Sequence, residues 1–131
     1  MKPLHWILAV DLDGVILDFD LDYWFKHRGY FGKVKKGCIE ALKKFRKMGY
    51  KIIVYTARID GDRLQDSADI LQALKEIAKV LQDNKVPYDE IWYKRGKPHA
   101  DYYIDDHAIK FHNWEQVMRD ITKDMKGGRN E

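Results

Sequence analysis

Trp6-Ile7-Leu8-Ala9-Val10 runs without a polar residue and ends abruptly in Asp11-Leu12-Asp13-Gly14. A short segment that is apolar on both faces suits the middle strand of a parallel sheet, covered by helices on either side. Further along, Lys51-Ile52-Ile53-Val54-Tyr55-Thr56 is a second β-rich run, and Glu90-Ile91-Trp92-Tyr93 reads as a short third strand after the break at Val86-Pro87. Tyr102-Tyr103-Ile104 is a fourth, again ending in acids, Asp105-Asp106. Between these runs the apolar period changes from two to three or four. Val34, Cys38, Ala41, Leu42, Phe45 and Met48 recur at helical spacing, and Gly49 stops them. Ile70, Leu71, Leu74, Ile77, Ala78 and Leu81 mark a long amphipathic helix, and Trp114, Val117, Met118, Ile121 and Met125 a last one, with Asn113 and Gln116 as its capping box. Strand, helix, strand, helix, strand, strand, helix is an α/β order. Right-handed crossovers then predict a three-layer α/β/α sandwich on a mostly parallel, Rossmann-like sheet. In such open sheets ligands bind beyond the carboxyl ends of the strands.

The polar residues with chemistry fall at those ends. Asp11 and Asp13 follow the first strand, Thr56 closes the second, and Asp105 and Asp106 follow the fourth. Crowded carboxylates repel one another and are costly to desolvate, so a cluster of this kind needs a cation. Hard oxygen ligands with no Cys or His among them favour Mg²⁺. An Asp-x-Asp pair alone usually does turn or capping duty. Thr56 alone is an ordinary strand residue, and Lys97 in Gly96-Lys97-Pro98 an ordinary surface lysine. Their joint order at successive strand ends carries the functional reading.

Asp11-Leu12-Asp13-Gly14-Val15, Thr56-Ala57-Arg58, Lys97-Pro98 and Ile104-Asp105-Asp106, taken together, resemble the four motifs of the haloacid dehalogenase-like superfamily. The stretch from Gly96 to Asp106 resembles its small phosphatases, among them those called capsule-biosynthesis phosphatases. The resemblance covers residues 6–110 and implies phosphoryl transfer through an aspartyl-phosphate. By that likeness Asp11 is the nucleophile, and Asp13 protonates the leaving oxygen and then activates water. Thr56, Ala57 and Arg58 would hold the substrate's phosphoryl oxygens, and Lys97 would neutralise charge. Asp11, Asp13 (through its carbonyl), Asp105 and Asp106 would surround Mg²⁺. Lys94 competes with Lys97 for its role, and the sequence leaves open which of Asp105 and Asp106 meets the metal directly. Receiver domains of two-component signalling use similar residues in another order: there the acid pair comes first, here it comes last.

Superfamily phosphatases usually carry a cap domain, yet the first insertion here, residues 16–33, is too short to fold alone, so the resemblance implies a capless member. The chain is expected to be one domain over residues 1–131, with 16–33 as a short flap and 126–131 as a frayed tail. Residues 18–36 show no period and mix acids, bases and aromatics. Tyr23, Trp24, Phe25, Tyr30 and Phe31 either bind substrate or pack under a loop, and Arg58 holds either a second anion or a surface carboxylate. His99 and His107 lack zinc spacing and are read as bystanders.

Bulk properties exclude some classes. The 131 residues carry 24 Lys and Arg against 21 Asp and Glu, a formal charge of +3, too weak to indicate nucleic acid by itself. With 45% hydrophobic and 34% charged residues the balance is that of a soluble protein. The one cysteine, Cys38, forms no internal disulfide and fits a cytoplasmic setting. No run approaches the ~20 apolar residues of a membrane span. The expected partner is a small phosphorylated substrate (a sugar, a nucleotide or a polynucleotide end), with no membrane and room for a homo-oligomer. The alternatives are a phosphotransferase of the same fold and a non-catalytic regulatory module.

Overall fold

The computed structural model describes residues 6–59 and 66–126, with side chains as far as 123. The expected tail beyond 126 lies outside the described residues. Four strands form one sheet in the order β3-β2-β1-β4: β1 (Trp6–Asp11), β2 (Tyr50–Tyr55), β3 (Glu90–Ile91) and β4 (Tyr102–Ile104). Every pairing is parallel. β1 is therefore interior, as its unbroken apolar run requires, and Leu8, Ala9 and Val10 are all buried. The fold is α/β, as predicted.

Parallel neighbours need crossovers, and two helices supply them. Helix α2 (Cys38–Lys47) joins β1 to β2 and buries Leu42. It begins four residues after Val34, because Val34 bridges Leu17 instead of entering the helix. Gly37, at φ 85°, makes the turn into it. Helix α3 (Ser67–Asp83) joins β2 to β3 behind Asp66, whose carboxylate accepts the Ala68 amide, and it buries Ile77 and Leu81. Ile70, Ala73, Leu74 and Val80 pack around that pair, while Leu71 faces outward at 52% exposure. β3 is two residues long rather than four, and the chain bends beyond it at residues 94–96.

Two segments depart from the pattern reading. The aperiodic stretch contains a short helix, α1 (Leu21–Lys26), capped by Asp20, whose carboxylate accepts the Tyr23 amide. Six residues are less than two turns, too few for an apolar stripe to register. Helix α4 (Trp114–Lys126) starts where expected, with the Asn113 side chain accepting the Gln116 amide at 2.8 Å. Its stripe is not a core face, however. Trp114, Met118 and Ile121 are exposed, and among the described residues none from α4 joins the buried core. No helix among the described residues is long and apolar enough to cross a membrane.

Candidate active site

Parallel strands put their carboxyl ends along one edge, and the sheet register makes that edge specific. Asp11, the last residue of β1, lies opposite Tyr55, the last of β2; Val10 lies opposite Ile104, the last of β4. Asp11, Thr56 and Asp105 are thereby neighbours although more than 90 residues separate the first from the last.

Past Asp11 the chain folds back tightly. The Leu12 carbonyl accepts the amides of Ile16 and Leu17 at 3.0 and 2.9 Å, and the Gly14 amide donates to the Leu17 carbonyl at 2.7 Å. Gly14 sits at φ 91°, and a Cβ there would collide with the Asp106 carboxylate. The positive φ favours glycine at this position, and a Cβ there would force the end of the Asp106 side chain to shift. The close approach brings Asp106 up against the first motif.

Carboxylate oxygens of Asp11, Asp105 and Asp106 lie within 4.8 Å of one another. Burial, with the neighbouring charges of Asp105, Asp106 and Asp13 adding to it, pushes the Asp11 carboxyl up to about 6, against the Leu12 amide that favours its ionised form. Asp105 is held the other way. The His107 amide donates to its Oδ1 at 2.7 Å, the Tyr55 hydroxyl donates to its Oδ2 at 2.9 Å, and Lys97 lies near, so its pKa is lowered. Burial and the bond to Asp105 raise Tyr55 correspondingly, keeping it a neutral donor. Three hard oxygen donors with a net repulsion to relieve fit a small divalent cation such as Mg²⁺. His99 and His107 do not belong to that group, although the His107 Nε2 lies 3.6 Å from the Asp106 carboxylate.

Two of these acids, Asp11 and Asp105, line a cleft of about 440 Å³ with Tyr55, Thr56, Trp92 and Lys97 among others. Thr56 is buried, and its oxygen accepts the Arg58 amide at 3.1 Å, which leaves the hydroxyl proton for the cleft. Lys97 and Lys94 both line the cleft but lie in different places. Lys97 reaches over the Tyr103 and Tyr55 rings at 4.7 and 5.8 Å, on the acid side. Lys94 lies 5.7 Å from the Trp92 ring.

Asp13 and Arg58 are elsewhere engaged. The Arg58 guanidinium donates to both Asp13 oxygens, at 2.7 and 2.9 Å, and to the Tyr30 carbonyl at 2.6 Å. It also lies 4.2 Å from the Phe31 ring centre and 4.8 Å from that of Trp24. The Asp13 carboxylate thus stands outside the three-acid group, and Arg58 points away from the cleft toward the aromatic segment. Ala57 lines the cleft; Trp24, Tyr30 and Phe31 do not. Tyr55, Trp92 and Arg95 were not singled out by motif reading. Tyr55 had a signal, since aligning the ends of the first two strands puts it beside Asp11.

No protein-family model and no curated protein matches the chain. Among solved structures it is similar to a protein from Vibrio cholerae, at 28% identity over 91% of this chain and 98% of that one, with a TM-score of 0.53. A conserved protein from Bacteroides thetaiotaomicron is similar at 19% identity over 89% of each chain, with a TM-score of 0.51. A third is a D,D-heptose 1.7-bisphosphate phosphatase from B. bronchiseptica complexed with magnesium and phosphate, at 18% identity over 92% of this chain and 64% of that one, with a TM-score of 0.43. The first two share the α/β fold.

Proposed function

We propose that the chain is a Mg²⁺-dependent phosphomonoester hydrolase of the haloacid dehalogenase-like kind, acting through an aspartyl-phosphate on Asp11. The observation that carries the reading is the three-acid group of Asp11, Asp105 and Asp106 at the carboxyl edge of the sheet, of which Asp11 and Asp105 line a cleft together with Thr56 and Lys97. The motif order read from the sequence supports it independently.

Asp11, Asp105 and Asp106 would hold the Mg²⁺. When bound, the cation offsets the charge of the acids and of the phosphoryl oxygens, so that anion can approach anion. The Leu12 amide binds Asp11 Oδ1 at 2.8 Å, which leaves Oδ2 as the attacking atom. In the first step a bond forms from that oxygen to phosphorus while the bond to the leaving oxygen breaks. Asp13, the acid–base residue by motif resemblance, would deliver the proton that makes the leaving group an alcohol. That requires one of its oxygens to leave Arg58 and turn to the cleft. In the second step a water attacks the aspartyl-phosphate, Asp13 takes its proton, and phosphate leaves with Asp11 restored. Thr56 and Lys97 supply a hydroxyl donor and a positive charge to the phosphoryl oxygens, the positioning and charge neutralisation on which phosphoryl transfer depends. Arg58, bonded through Nε and one Nη to the two Asp13 oxygens, holds that carboxylate outside the three-acid group, so the acid–base step needs this pair to open.

The test is hydrolysis of p-nitrophenyl phosphate with and without Mg²⁺, beside Asp11→Asn. We expect turnover to need the metal and to fall at least ~10³-fold in the variant. An acid-quenched reaction should yield a phosphorylated peptide containing Asp11. Retained turnover in Asp11→Asn sinks the covalent mechanism.

A further inference from the structure

We propose that Trp92, Lys94 and Arg95 form a second-anion subsite in the active-site cleft, and that the substrate is a phosphomonoester whose leaving group itself carries a phosphate or carboxylate. The inference rests on the reading of Asp11 as the phosphoryl-transfer residue and names the substrate class of that site.

The size of the cleft is the first observation. Its volume of about 440 Å³ falls in the range that holds a whole small organic ligand, well beyond a phosphoryl group alone. The same cavity is lined by Asp11, Thr56 and Asp105 and by Trp92, Lys94 and Arg95, which follow β3, the strand on the other side of β2 from β1. A group attached to a phosphoryl on Asp11 therefore shares its cleft with this second set of side chains.

Charge is the second. Phosphoryl transfer at Asp11 uses one cationic side chain, and Lys97 stands beside Asp105 and the Tyr103 ring for that purpose. Two more cations, Lys94 and Arg95, also line the cleft, and among the described residues no acid lines it beyond Asp11 and Asp105. Among the described residues Lys94 has no ion pair, and its ammonium lies over the Trp92 ring. Side chains of this kind recognise a negative group.

Pre-organisation is the third. The Trp92 amide donates to the Val54 carbonyl at 2.8 Å and its indole Nε1 to the Gly96 carbonyl at 2.8 Å, so both ends of the residue are tied down. Gly96 turns the chain at φ 73°, and Pro98 beyond it is buried. With its one polar atom satisfied, the indole has only its faces to offer, which suits the apolar face of a sugar or a carbon chain. Trp24 and Phe31 lie against Arg58 instead, and neither lines the cleft.

Calorimetric titration of Asp11→Asn in Mg²⁺ tests the proposal without turnover, at low salt so that surface charge is not screened. Two matched pairs are titrated: fructose 1,6-bisphosphate against fructose 6-phosphate, and phosphoglycolate against ethyl phosphate. The doubly anionic member of at least one pair is expected to bind at least ~10-fold more tightly, and the responsive pair tells phosphate from carboxylate. Adding Lys94→Ala and Arg95→Ala should bring that ratio close to one, with an unchanged melting temperature excluding loss of fold. Trp92→Phe, which keeps a ring but loses the Gly96 bond, should weaken both members of the pair. Equal affinity within both pairs, no binding by any of the four ligands, or a preference that survives the double substitution overturns the subsite. The unsubstituted protein's action on p-nitrophenyl phosphate is a separate outcome. A hydrolase with no preference keeps the function and loses the subsite, and an inactive protein with the preference does the reverse.

Discussion

Asp11→Asn should make the metal-free protein more stable while abolishing its activity. The Asp11 carboxyl titrates at about 6 in the fold against 3.8 in an unfolded chain, raised first by burial and then by Asp105, Asp106 and Asp13. A raised folded value means that Asp11's contribution is fully present below about pH 3.8. It is lost as the pH climbs through about 6, because the unfolded chain gives up its proton more readily. The difference is about two units, and at 1.36 kcal/mol per unit it sets a ceiling of about 3 kcal/mol. The carboxyl is only half-buried, so solvent screening cuts this to about 1–1.5 kcal/mol. Asparagine relieves that cost at neutral pH. Its side-chain oxygen can still accept the Leu12 amide, so no other bond is given up. At ~4 °C per kcal/mol for a chain of this size, the gain is ~4–6 °C. The assay is a pair of melting curves in excess chelator at about pH 7.5 and about pH 4, where the difference should shrink toward zero. Asp105, whose pKa is lowered, costs stability only as the pH falls below its unfolded value; it does so in both proteins and cancels. Mg²⁺ should then raise the unsubstituted protein more than the variant. A variant that melts no higher than its parent at about pH 7.5 would show that holding the Asp11 carboxylate half-buried beside the other acids carries no cost, and this account of its raised pKa would fail.

Other perturbations probe the same site. Ca²⁺ should inhibit the Mg²⁺-supported hydrolysis, since its looser shell misplaces the phosphoryl group; full activity in excess chelator would contradict the metal requirement. Lys97→Ala should reduce p-nitrophenyl phosphate turnover far more than Lys94→Ala, because only Lys97 stands on the acid side, and the reverse ranking would exchange their roles. Trp24→Ala should lower the melting temperature and depress all substrates together, since it strips a ring from Arg58, the residue that holds Asp13; an effect confined to KM for large substrates would return the aromatic segment to the binding surface. Gly14→Ala should cost about 1–3 kcal/mol from the positive φ alone and weaken Mg²⁺ binding, because the added methyl displaces Asp106; unaltered metal affinity would refute that contact.

What the sequence made legible follows from the range over which each signal acts. The β1 run and its terminal acids could be read because burial on both faces forces a continuous apolar string, and a parallel sheet then lines up every strand end. Asp11, Thr56 and Asp105 fall together from that rule alone, before any side chain is placed. Arg58 could not be resolved in the same way. Its neighbours in sequence, Thr56 and Ala57, line the cleft, but its partners come from a segment about 28–45 residues earlier that has no periodicity to fix it. The choice between a substrate anion and Asp13 was one of three-dimensional reach, and a bidentate carboxylate between two aromatic faces decides it. The α4 stripe was the opposite case, a strong periodic signal with a weak consequence. Amphipathicity reports that Trp114, Met118 and Ile121 share a side of the helix; it does not report what that side meets, and here the core is closed without it. The cleft's second set of side chains lies between these limits. Trp92, Lys94 and Arg95 sit in a ten-residue connection from β3 to β4 with no helix to advertise it, and only the folded connection shows that they line the same cleft as Asp11. A parallel sheet thus announces its catalytic edge in sequence. The loops that choose the substrate stay silent until the backbone is folded.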